Sequence, residues 1–498
     1  MYQKNLLMTA ILSASLVACG GGSKSSKKGS DPQDQPPKII PPTKHLIAVD
    51  DGDHGQELWI TDGTSEGTKL VKDINPAGHA NIEQFTVVGK TTYFVADDNV
   101  HDSELWKSDG TAAGTMLVKD IHTTDSSSPD NLTAVGNTLF FTAYDETHGE
   151  ELWKSDGTSA GTVLVKEIAN STSSASISNL AVLNGTLYFR ADDGNNGYEL
   201  WKSDGTETGT VMVKDLTPGG ASSNVSDLTV VGNTLYFTAT ADNKGNELWK
   251  TQGTAATTVI VEDIHNGFAS SNPDHLTAMG SKLFFTADDG LTDRELWVSD
   301  GTESGTKLVK NINSELPMMV LARAPAAAPV PGSTDLPSYP GELTVVGDTL
   351  YFYADDGVNG QELWKSNGTS TDTVMVKDIV DGSGSSSPDN LMAVGDLLLF
   401  HIDDENGDNS IWASAGTAAT TIEIADPSKA GEGELYSIGQ YQYTDRDALI
   451  TKDGITLFAA QAQGKGIELF KTDGTVAGTV MVKDINPDAG SSFFNNRR

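Results

Sequence analysis

The sequence predicts an all-β protein: a β-propeller of about nine four-stranded blades, closed into a ring by the two chain ends. Three observations support this prediction. A motif that reads ELWKSDGTxxGT in its clearest copies recurs along the chain. Each recurring unit holds four short β segments separated by turn signals. No stretch of the repeated region combines a helical period with helix caps. Many copies of a four-stranded unit of about 40 to 50 residues are typical of propeller blades.

The period is measured from the aromatic residue of each copy, and all eight tryptophans of the chain occupy this position. The nine aromatic positions are Trp59, Trp106, Trp153, Trp201, Trp249, Trp297, Trp364, Trp412 and Phe470. Six of the eight intervals between them are 47 or 48 residues, whereas the other two are 67 and 58 residues. The two long intervals indicate insertions at 314–341 and 427–447, each predicted to lie in a connection between units.

The fifth unit shows how the strands are assigned. Its four apolar or alternating segments are LTVV (228–231), TLYFTAT (234–240), ELWKT (247–251) and VIVEDI (259–264). Turn-forming residues separate them, including Gly232-Asn233 and DNKGN at 242–246. A β-solenoid is the alternative architecture, but solenoid coils are usually shorter and lack a hairpin turn after every strand.

The chain ends predict how the ring closes. The repeated region begins with HLIAV (45–49), which matches the second strand of a unit. The missing first strand is expected to come from the C-terminal tail SSFFNNRR (491–498), because pairing both chain ends in one blade removes exposed strand edges. Eight blades plus one irregular unit is the alternative, and the eighth unit, with SIWASAGT at 410–417, has diverged most.

The motif itself predicts a repeated turn. An Asp three residues after the aromatic and the second Gly of DGTxxGT occur together in six units. The aspartates are Asp62, Asp109, Asp156, Asp204, Asp300 and Asp473. Where the Asp is replaced by Gln252, Asn367 or Ala415, the Gly is replaced by Thr257, Asp372 or Thr420. We expect the Asp to accept hydrogen bonds from turn amides and the Gly to supply a positive φ.

Three further repeated residues predict packing rather than chemistry. The tryptophan is expected to lie between neighbouring blades, where it can bury its apolar surface and donate its indole N–H. Glu stands two residues before the aromatic in eight units, and Lys stands thirteen residues after it in seven. These two are expected to form a Glu–Lys pair across neighbouring strands on the surface.

The N-terminus reads as a targeting segment. Lys4 precedes the apolar run at 6–18, and Leu16-Val17-Ala18-Cys19 resembles the lipobox of bacterial lipoproteins. That resemblance implies a signal peptide at 1–18, cleavage before Cys19, and lipids on Cys19 that anchor the protein. Residues 19–44 are rich in Gly, Ser, Lys and then Pro, and are expected to tether the propeller at 45–498. Gly20 favours the outer membrane, with the propeller facing the periplasm or the cell surface.

The repeated motif ELWKSDGTxxGTxLVKDI resembles that of the bacterial ELWxxDGT repeat family, sometimes described as hyalin-like, across residues 45–485. This resemblance implies a secreted or surface protein. The segment TLYFRADDGNNGYELW (186–201) is similar to blades of the periplasmic Tol-system propeller. Its Ala191, Asp193, Gly197, Glu199 and Trp201 are also similar to the tryptophan-docking motif of quinoprotein propellers. No catalytic residue is carried over from either.

The net charge of −36 excludes nucleic acid as an expected partner, because phosphate would be repelled. Acidic loops such as ADDGNNGYE and ADDGVNGQE suit turns and also suit Ca²⁺. Asp192, Asp193, Asp355 and Asp356 are the tentative metal ligands. His54, His101 and His148 occupy one loop position in successive units and are expected to be exposed.

Two function classes remain open from the sequence. The first is a monomeric, non-catalytic binding, scaffolding or adhesion module with a protein or glycan partner. Its ligand-binding candidates are Tyr436, Tyr441 and Tyr443 of the second insertion, since tyrosines in loops suit contact with sugars and proteins. The alternative is an extracellular enzyme at the propeller mouth, either a hydrolase or lyase or a quinone-dependent dehydrogenase. The sequence assigns no catalytic residue.

Overall fold

The computed structural model describes residues 44–492 except 170–172, 242, 314–337, 404–408, 426–434, 438–450, 453–454 and 488–489. The chain folds into nine antiparallel sheets arranged as the blades of a ring, so the protein is a nine-bladed β-propeller. The predicted fold class is confirmed. The only helical elements of the described part are two 3₁₀ turns, Ala255–Thr257 and Ala418–Thr420. Within that part, no helix is long and apolar enough to cross a membrane.

Strands are numbered within each blade from the channel outwards. The first strands of blades 2 to 8 are Glu83–Val88, Asp130–Val135, Ser178–Leu183, Ser226–Val231, Asp274–Met279, Gly341–Val346 and Pro388–Val394. The second strands of blades 1 to 9 are His45–Asp50, Thr91–Asp97, Thr138–Asp145, Thr186–Asp192, Thr234–Ala241, Lys282–Asp288, Thr349–Asp355, Leu397–Asp403 and Ile455–Ala462. The third strands are Gln56–Thr61, Ser103–Ser108, Gly149–Ser155, Tyr198–Ser203, Lys244–Thr251, Arg294–Ser299, Gln361–Ser366, Asn409–Ser414 and Gly466–Thr472. The fourth strands are Lys69–Lys72, Met116–Lys119, Val163–Lys166, Val211–Lys214, Val259–Glu262, Lys307–Lys310, Val374–Lys377, Ile422–Ala425 and Val480–Lys483.

The first strands face one another across neighbouring blades and surround the channel. A threonine hydroxyl of one first strand donates to a backbone carbonyl of the next in several blades. Thr86 Oγ1 lies 3.0 Å from Leu132 O, and Thr229 Oγ1 lies 3.1 Å from Leu276 O. These bonds link successive blades at their inner edges.

Each tryptophan lies between two blades, as predicted. Trp106 of blade 2 packs against Leu58 and Ile74 of blade 1. The ammonium of Lys72 in blade 1 lies 5.2 Å from the centre of the Trp106 ring and donates to Thr115 O at 2.9 Å. This cation–π contact is worth about 0.5 to 2 kcal/mol.

The prediction that the indole N–H groups donate hydrogen bonds is confirmed in only two blades. Trp249 donates to Ala239 O at 3.1 Å, and Trp412 donates to Ser410 Oγ at 2.8 Å. The indole nitrogens of the other six tryptophans are buried without a hydrogen-bond partner in the described part of the chain.

The predicted Glu–Lys surface pair is wrong. The motif glutamates are fully buried. Glu104, for example, accepts hydrogen bonds from Ile121 N at 3.1 Å, Ser127 N at 3.0 Å and Ser127 Oγ at 2.6 Å. A β-bulge after Leu105 places Lys119 opposite Leu105 rather than Glu104, and the lysine reaches towards the next blade. The glutamate therefore holds the connection that leaves its own blade, and the lysine joins two blades.

Blade 9 packs against blade 1, so the ring is closed. Ile47 and Val49 of blade 1 share one core cluster with Leu469 and Val482 of blade 9. Lys483 Nζ also donates to Thr68 O of blade 1 at 2.8 Å.

The C-terminal end of the described chain also reaches blade 1, where Asp50 N donates to Ser492 O at 2.8 Å. Blade 1 has three strands within the described residues. The tail predicted to supply its first strand is 491–498, and 493–498 of this tail lie outside the described residues.

The irregular blade is the ninth and not the eighth. Blade 8 is an ordinary four-stranded sheet, so the suspicion that it is irregular is wrong. In blade 9, two short strands, Leu435–Ser437 and Thr451–Lys452, pair with opposite ends of the second strand. Part of the second predicted insertion therefore belongs to the inner edge of blade 9 rather than to a connection between blades.

Candidate functional site

The propeller has two different faces, as the order of strands predicts. One face, here the DGT face, carries the turns between first and second strands and the DGTxxGT turns. The other, here the loop face, carries the acidic loops between second and third strands and the connections between blades. In blades 1 to 5 and in blade 7, the connection that leaves the blade bonds to the strand that follows the acidic loop of the same blade. In blade 5, Asn272 N donates to Asn246 O at 3.1 Å.

The DGT turns satisfy their own polar groups. In blade 2, Asp109 Oδ1 accepts hydrogen bonds from Thr111 N at 3.0 Å and Thr111 Oγ1 at 2.7 Å. Gly114 N donates to Thr111 Oγ1 at 3.0 Å. The aspartate, the threonine hydroxyl and the glycine amide of this turn thus bond to one another.

The structure explains why the Asp and the second Gly of this turn vary together. A side chain at Gly114 would collide with the Asp109 carboxylate, and Gly114 does not have a positive φ. The expectation of a positive φ is therefore wrong for the second Gly, although the first Gly of the turn, Gly110, has a φ of 87°. Where the Gly is Thr257, its hydroxyl accepts from Thr254 N at 3.2 Å, the amide equivalent to the one that bonds to Asp109, and so takes over the role of the Asp.

The tentative metal ligands are engaged in loop turns. Asp193 Oδ1 accepts from Asn195 N and Asn196 N, both at 2.9 Å, while Oδ2 accepts from Asn196 Nδ2 at 2.8 Å. Burial alone would raise the pKa of Asp193, but these hydrogen bonds hold it below its ordinary value.

The other three tentative ligands follow the same pattern. Asp356 repeats the arrangement with Val358 and Asn359. Asp192 and Asp355 each accept one amide N–H, from Gly194 and Gly357 respectively. Among the described residues, no group of three or more His, Cys, Asp or Glu is placed to hold a metal ion. In this structure the four carboxylates act as hydrogen-bond acceptors within their own loops.

The three loop histidines occupy the position of those asparagines, each within its own loop. His54, His101 and His148 place Nδ1 at 2.8, 2.9 and 2.7 Å from a carboxylate oxygen of the Asp three residues earlier. The hydrogen bond to Asp51 raises the pKa of His54, and the bond to Asp98 raises the pKa of His101. The structure does not bring the three together, since each belongs to a different blade.

Several sequence-predicted residues fall on segments about which the structure says little. Tyr436 lies in the short strand Leu435–Ser437. Tyr441, Tyr443 and Cys19 lie outside the described residues. Of the first insertion, only 338–341 are described.

A repeated backbone feature at the rim of the channel was not predicted from the sequence. In blades 2 to 8, one residue near the start of the first strand, the second in blades 2 to 7 and the third in blade 8, has a left-handed conformation although it is not glycine. These residues are Gln84, Asn131, Asn179, Asp227, His275, Glu342 and Asn390. Conformations of this kind are uncommon and often mark functional or tightly constrained positions. The words SSSPDNL at 126–132 and 385–391, and SNPDHL at 271–276, are the signal that could have revealed it.

Where this residue is long, it bridges to the next blade. Gln84 Nε2 donates to Asp130 Oδ1 at 2.5 Å, and Glu342 Oε2 accepts from Leu391 N at 3.1 Å. Asp227 of blade 5 is shorter. It accepts from Ser226 Oγ at 3.0 Å and from Thr238 Oγ1 at 3.4 Å, both within its own blade.

A cleft of about 250 Å³ opens beside Asp227, between blades 5 and 6 on the loop face. We call it the blade 5–6 cleft. It is lined by Ser226, Asp227, Asn246, Asn272, Pro273, Asp274 and Arg294. Its walls are almost entirely polar, so a ligand there must form hydrogen bonds or ionic contacts.

The polar groups of the cleft differ in how they are satisfied. Arg294 is fixed by two bonds, from Nη1 to Thr286 Oγ1 at 2.9 Å and from Nη2 to Asn272 O at 2.8 Å. Asn246 Oδ1 is buried and has no hydrogen-bond partner among the described residues. Burial, and then the negative charge of Asp274, raise the pKa of Asp227.

Exposed large apolar side chains are also more numerous on the loop face than on the DGT face. Apart from those on the fourth strands, the loop face carries Val100, Tyr144, Phe268, Leu291, Tyr339 and Val358, whereas the DGT face carries Val87, Ile455 and Val476. Phe268 and Leu291 are 82% and 73% exposed. Phe268 shares a connection with His265, and Leu291 shares an acidic loop with Gly290. The His265 imidazole lies against Gly290, so the two segments are neighbours beside the blade 5–6 cleft.

Comparison with known proteins finds similarity at the level of solved structures. No family model and no curated protein matches the chain. A prolyl endopeptidase structure is 11% identical, with a TM-score of 0.41, over 69% of this chain and 49% of that one. A puromycin hydrolase is 12% identical, with a TM-score of 0.36, over 76% and 58%. TolB from Acinetobacter baumannii is 14% identical, with a TM-score of 0.28, over 52% and 61%. This chain thus spans about half to three fifths of each of these structures.

Proposed function

We propose that this protein is a lipid-anchored propeller of the bacterial cell envelope, and that it acts as a non-catalytic binding or scaffolding module through its loop face. The difference between the two faces is the observation that carries the proposal. The DGT turns bond internally, whereas the loop face holds the polar cleft and the most exposed large apolar side chains. Exposed apolar groups with a polar surround are typical of interaction sites, and loops on a rigid scaffold commonly carry binding functions.

The sequence supports the cellular placement in this proposal. A lipid on Cys19 and the tether at 19–44 would hold the propeller beside an outer membrane. The similarity of the repeats to the ELWxxDGT family agrees with an envelope protein. The strong negative charge disfavours nucleic acid and favours a neutral or basic partner.

Variants of the two faces test the proposal in the cell that makes the protein. The loop-face variant carries Phe268→Ser, Leu291→Asn and Val358→Asn, because other blades hold Ser383 and Asn195 at these positions. The matched DGT-face variant carries Val87→Ala and Val476→Ala, because Ala134 and Ala112 stand at the equivalent positions.

Intact cells are treated with a chemical crosslinker, and the adducts of each variant are quantified against its amount in the membrane. The loop-face variant is expected to lose the adducts of the wild type at least fivefold, while the DGT-face variant keeps them. Equal adducts in both variants, or a loss only in the DGT-face variant, would overturn the proposal.

A further inference from the structure

We propose that the loop face carries an anion site at Arg190, between blades 4 and 5, and that this site binds the carboxylate of an acidic sugar, a uronic acid residue of a glycan. Arg190 lies in the second strand of blade 4, two residues before the loop-face end of that strand at Asp192. The inference goes beyond the proposed function, because it names a ligand that is not a protein and a site away from the exposed apolar side chains.

Arg190 faces blade 5. Side chains alternate along a strand, and Tyr188, two residues earlier, packs in the core cluster that blades 4 and 5 share. The central carbon of the Arg190 guanidinium lies 3.9 Å from the centre of the Tyr198 ring. A guanidinium stacked on an aromatic ring has a defined plane, so the group is oriented before a ligand arrives.

The guanidinium of Arg190 has no acidic partner. Its Nε is buried without a hydrogen-bond partner, and no hydrogen bond or ion pair joins the group to a described residue. Burial lowers the pKa of Arg190, while the charge of Asp192 acts in the opposite direction. The Asp192 carboxylate itself accepts Gly194 N at 2.7 Å. A half-buried cation without a bonded acid is unfavourable, so a bound anion stabilises it.

An equivalent position in another blade shows which group is missing. In blade 8, His401 takes the place of Arg190, and the residue opposite it in the first strand is Asp389. His401 Nδ1 lies 2.7 Å from Asp389 Oδ1. In blade 4, the residue opposite Arg190 is Ser178, which carries no charge. The basic side chain of blade 8 thus has a carboxylate from its own blade, whereas that of blade 4 does not.

Asn179 lies beside Arg190 and has an unsatisfied group of the opposite kind. It follows Ser178, and at the equivalent place in blade 3 Asn131 Nδ2 lies 3.4 Å from Thr142 Oγ1, the group that Arg190 replaces. Asn179 Oδ1 is buried without a partner among the described residues. The site therefore leaves one donor and one acceptor unsatisfied, and such groups are rare in folded proteins.

These two groups indicate the chemistry of the ligand. The planar guanidinium matches a carboxylate, which accepts two parallel hydrogen bonds from it. A hydroxyl beside that carboxylate can donate to the amide oxygen of Asn179. A uronic acid residue carries both groups on neighbouring carbons. A phosphate fits less well, because it carries up to two negative charges and the protein has a net charge of −36.

The surroundings favour a sugar over an acidic side chain of a protein. Within the blade 4 loop at 193–197 and the connection at 215–225, no large apolar side chain is exposed. Protein interfaces depend on apolar and aromatic anchors, which this part of the loop face does not offer. The charge of the whole protein acts weakly here, because it is screened over about 8 Å at physiological salt while the carboxylate contacts the guanidinium.

The test is a saturation-transfer NMR titration of the full-length protein in a detergent that contains no sugar. The probe is methyl β-D-glucuronide. One control is methyl β-D-glucoside, which lacks the carboxylate, and the other is the glucuronamide, which keeps the shape and removes the charge. A third ligand, acetyl-Gly-Glu-Gly-amide, presents the carboxylate on a peptide. We expect the glucuronide to bind at least fivefold more tightly than each of these three.

Protein variants taken from the chain's own blades test the site. Arg190→Thr reproduces the residue that blades 3, 5 and 6 have at this position, namely Thr142, Thr238 and Thr286. It is expected to lower the affinity for the glucuronide at least fivefold, with an unchanged melting temperature. Arg190→Lys keeps the charge, loses the planar group and should lower the affinity about threefold. The control is Arg294→Gln, which removes another loop-face arginine, reproduces Gln361 of blade 7 and leaves the affinity unchanged.

Three results would overturn this inference: equal affinity for the glucuronide and the glucuronamide, wild-type affinity in Arg190→Thr, or tighter binding of the acidic peptide than of the glucuronide. Crosslinking in cells separates its failure from that of the proposed function. If the glucuronide does not bind while the loop-face variant loses its partner adducts, the inference fails and the proposed function stands. If the glucuronide binds through Arg190 while only the DGT-face variant loses adducts, the site stands and the proposed partner surface fails.

Discussion

At the scale of single residues, the repeated motif specifies turns more than it specifies a chemical site. The joint variation of Asp and Gly in DGTxxGT was visible in the sequence, and it correctly indicated one local structure. The reason could not be predicted, because it depends on the space between the Gly backbone and the Asp carboxylate. The cleft residues Asp227 and Asn246 were missed for the same reason, since they come together only at the space between two blades.

Gly114→Ala should destabilise the protein by about 1 to 3 kcal/mol, because its methyl group overlaps the Asp109 carboxylate. The double variant Asp109→Gln/Gly114→Thr should recover much of this loss, since it reproduces the Gln252 and Thr257 turn. Urea unfolding of the wild type, Asp109→Gln, Gly114→Thr and the double variant gives the coupling energy, and Gly114→Ala is measured beside them. Additive effects would contradict this account of the turn.

Calcium should not stabilise the propeller through its acidic loops. The carboxylates of Asp193 and Asp356 already accept hydrogen bonds from their own loops. The melting temperature is therefore expected to be the same in EDTA and in millimolar Ca²⁺. A saturable rise in melting temperature that Asp193→Asn removes would show that these loops are ion sites after all.

At the scale of strands and blades, the sequence predicted the order of the strands but not the positions of the motif glutamates and lysines. The alternating segments and turn residues predicted four strands per unit, and the tryptophans predicted the contact between blades. The glutamates and lysines were misread because a β-bulge in each third strand shifts the register with the fourth strand. A bulge leaves no clear mark in a single repeat, so the buried position of the glutamates could not be foreseen.

Glu262→Lys should stabilise the contact between blades 5 and 6 by about 1 to 2 kcal/mol. In seven other blades, a lysine at this position donates to a threonine carbonyl of the next blade, as Lys214 does to Thr258 O at 2.9 Å. Glu262 instead leaves Oε2 buried without a partner among the described residues, and burial raises its pKa. Thermal unfolding measures the change, with Glu262→Gln as the control that removes only the charge. A lysine variant no more stable than the glutamine variant would contradict the role given to this position.

The buried glutamates should make the propeller more stable at pH 5 than at pH 8. Burial raises the pKa of Glu57, Glu104, Glu295, Glu362 and Glu468 to about 7 and that of Glu151 to about 8. A group whose pKa is higher in the folded state contributes stability below its unfolded pKa and loses it as pH rises through the folded value. The raised pKa values of His54 and His101 act in the same direction.

Urea midpoints at pH 5, 6, 7 and 8 test this expectation, and Glu104→Gln should flatten the curve because it removes one titrating group. A midpoint that rises steadily from pH 5 to pH 8 would contradict the assignment.

At the scale of the whole molecule, the ring and its two faces followed from the repeat count and the strand order. The contact between blades 9 and 1 agrees with the predicted closure by the chain ends. The cellular placement and the partner depend on segments and molecules other than the propeller, and for these the repeats offer only a resemblance.

Cys19→Ser should release the protein from the membrane. Without the thiol there is no attachment point for the lipid, which is the membrane anchor in the proposed function. Partitioning between detergent and aqueous phases, with the amount of protein in each fraction, measures this. The unprocessed precursor is separated by its size. A mature Cys19→Ser protein that still partitions fully into detergent would contradict lipid anchoring at this residue.

The central claim is that the loop face, and not the DGT face, meets the partner. The most direct measurement places a photoreactive amino acid at position 291 on the loop face or at position 87 on the DGT face. The cells are then illuminated and the adducts analysed. We expect a discrete adduct of one partner from position 291 and none from position 87. Adducts from position 87 alone would contradict it.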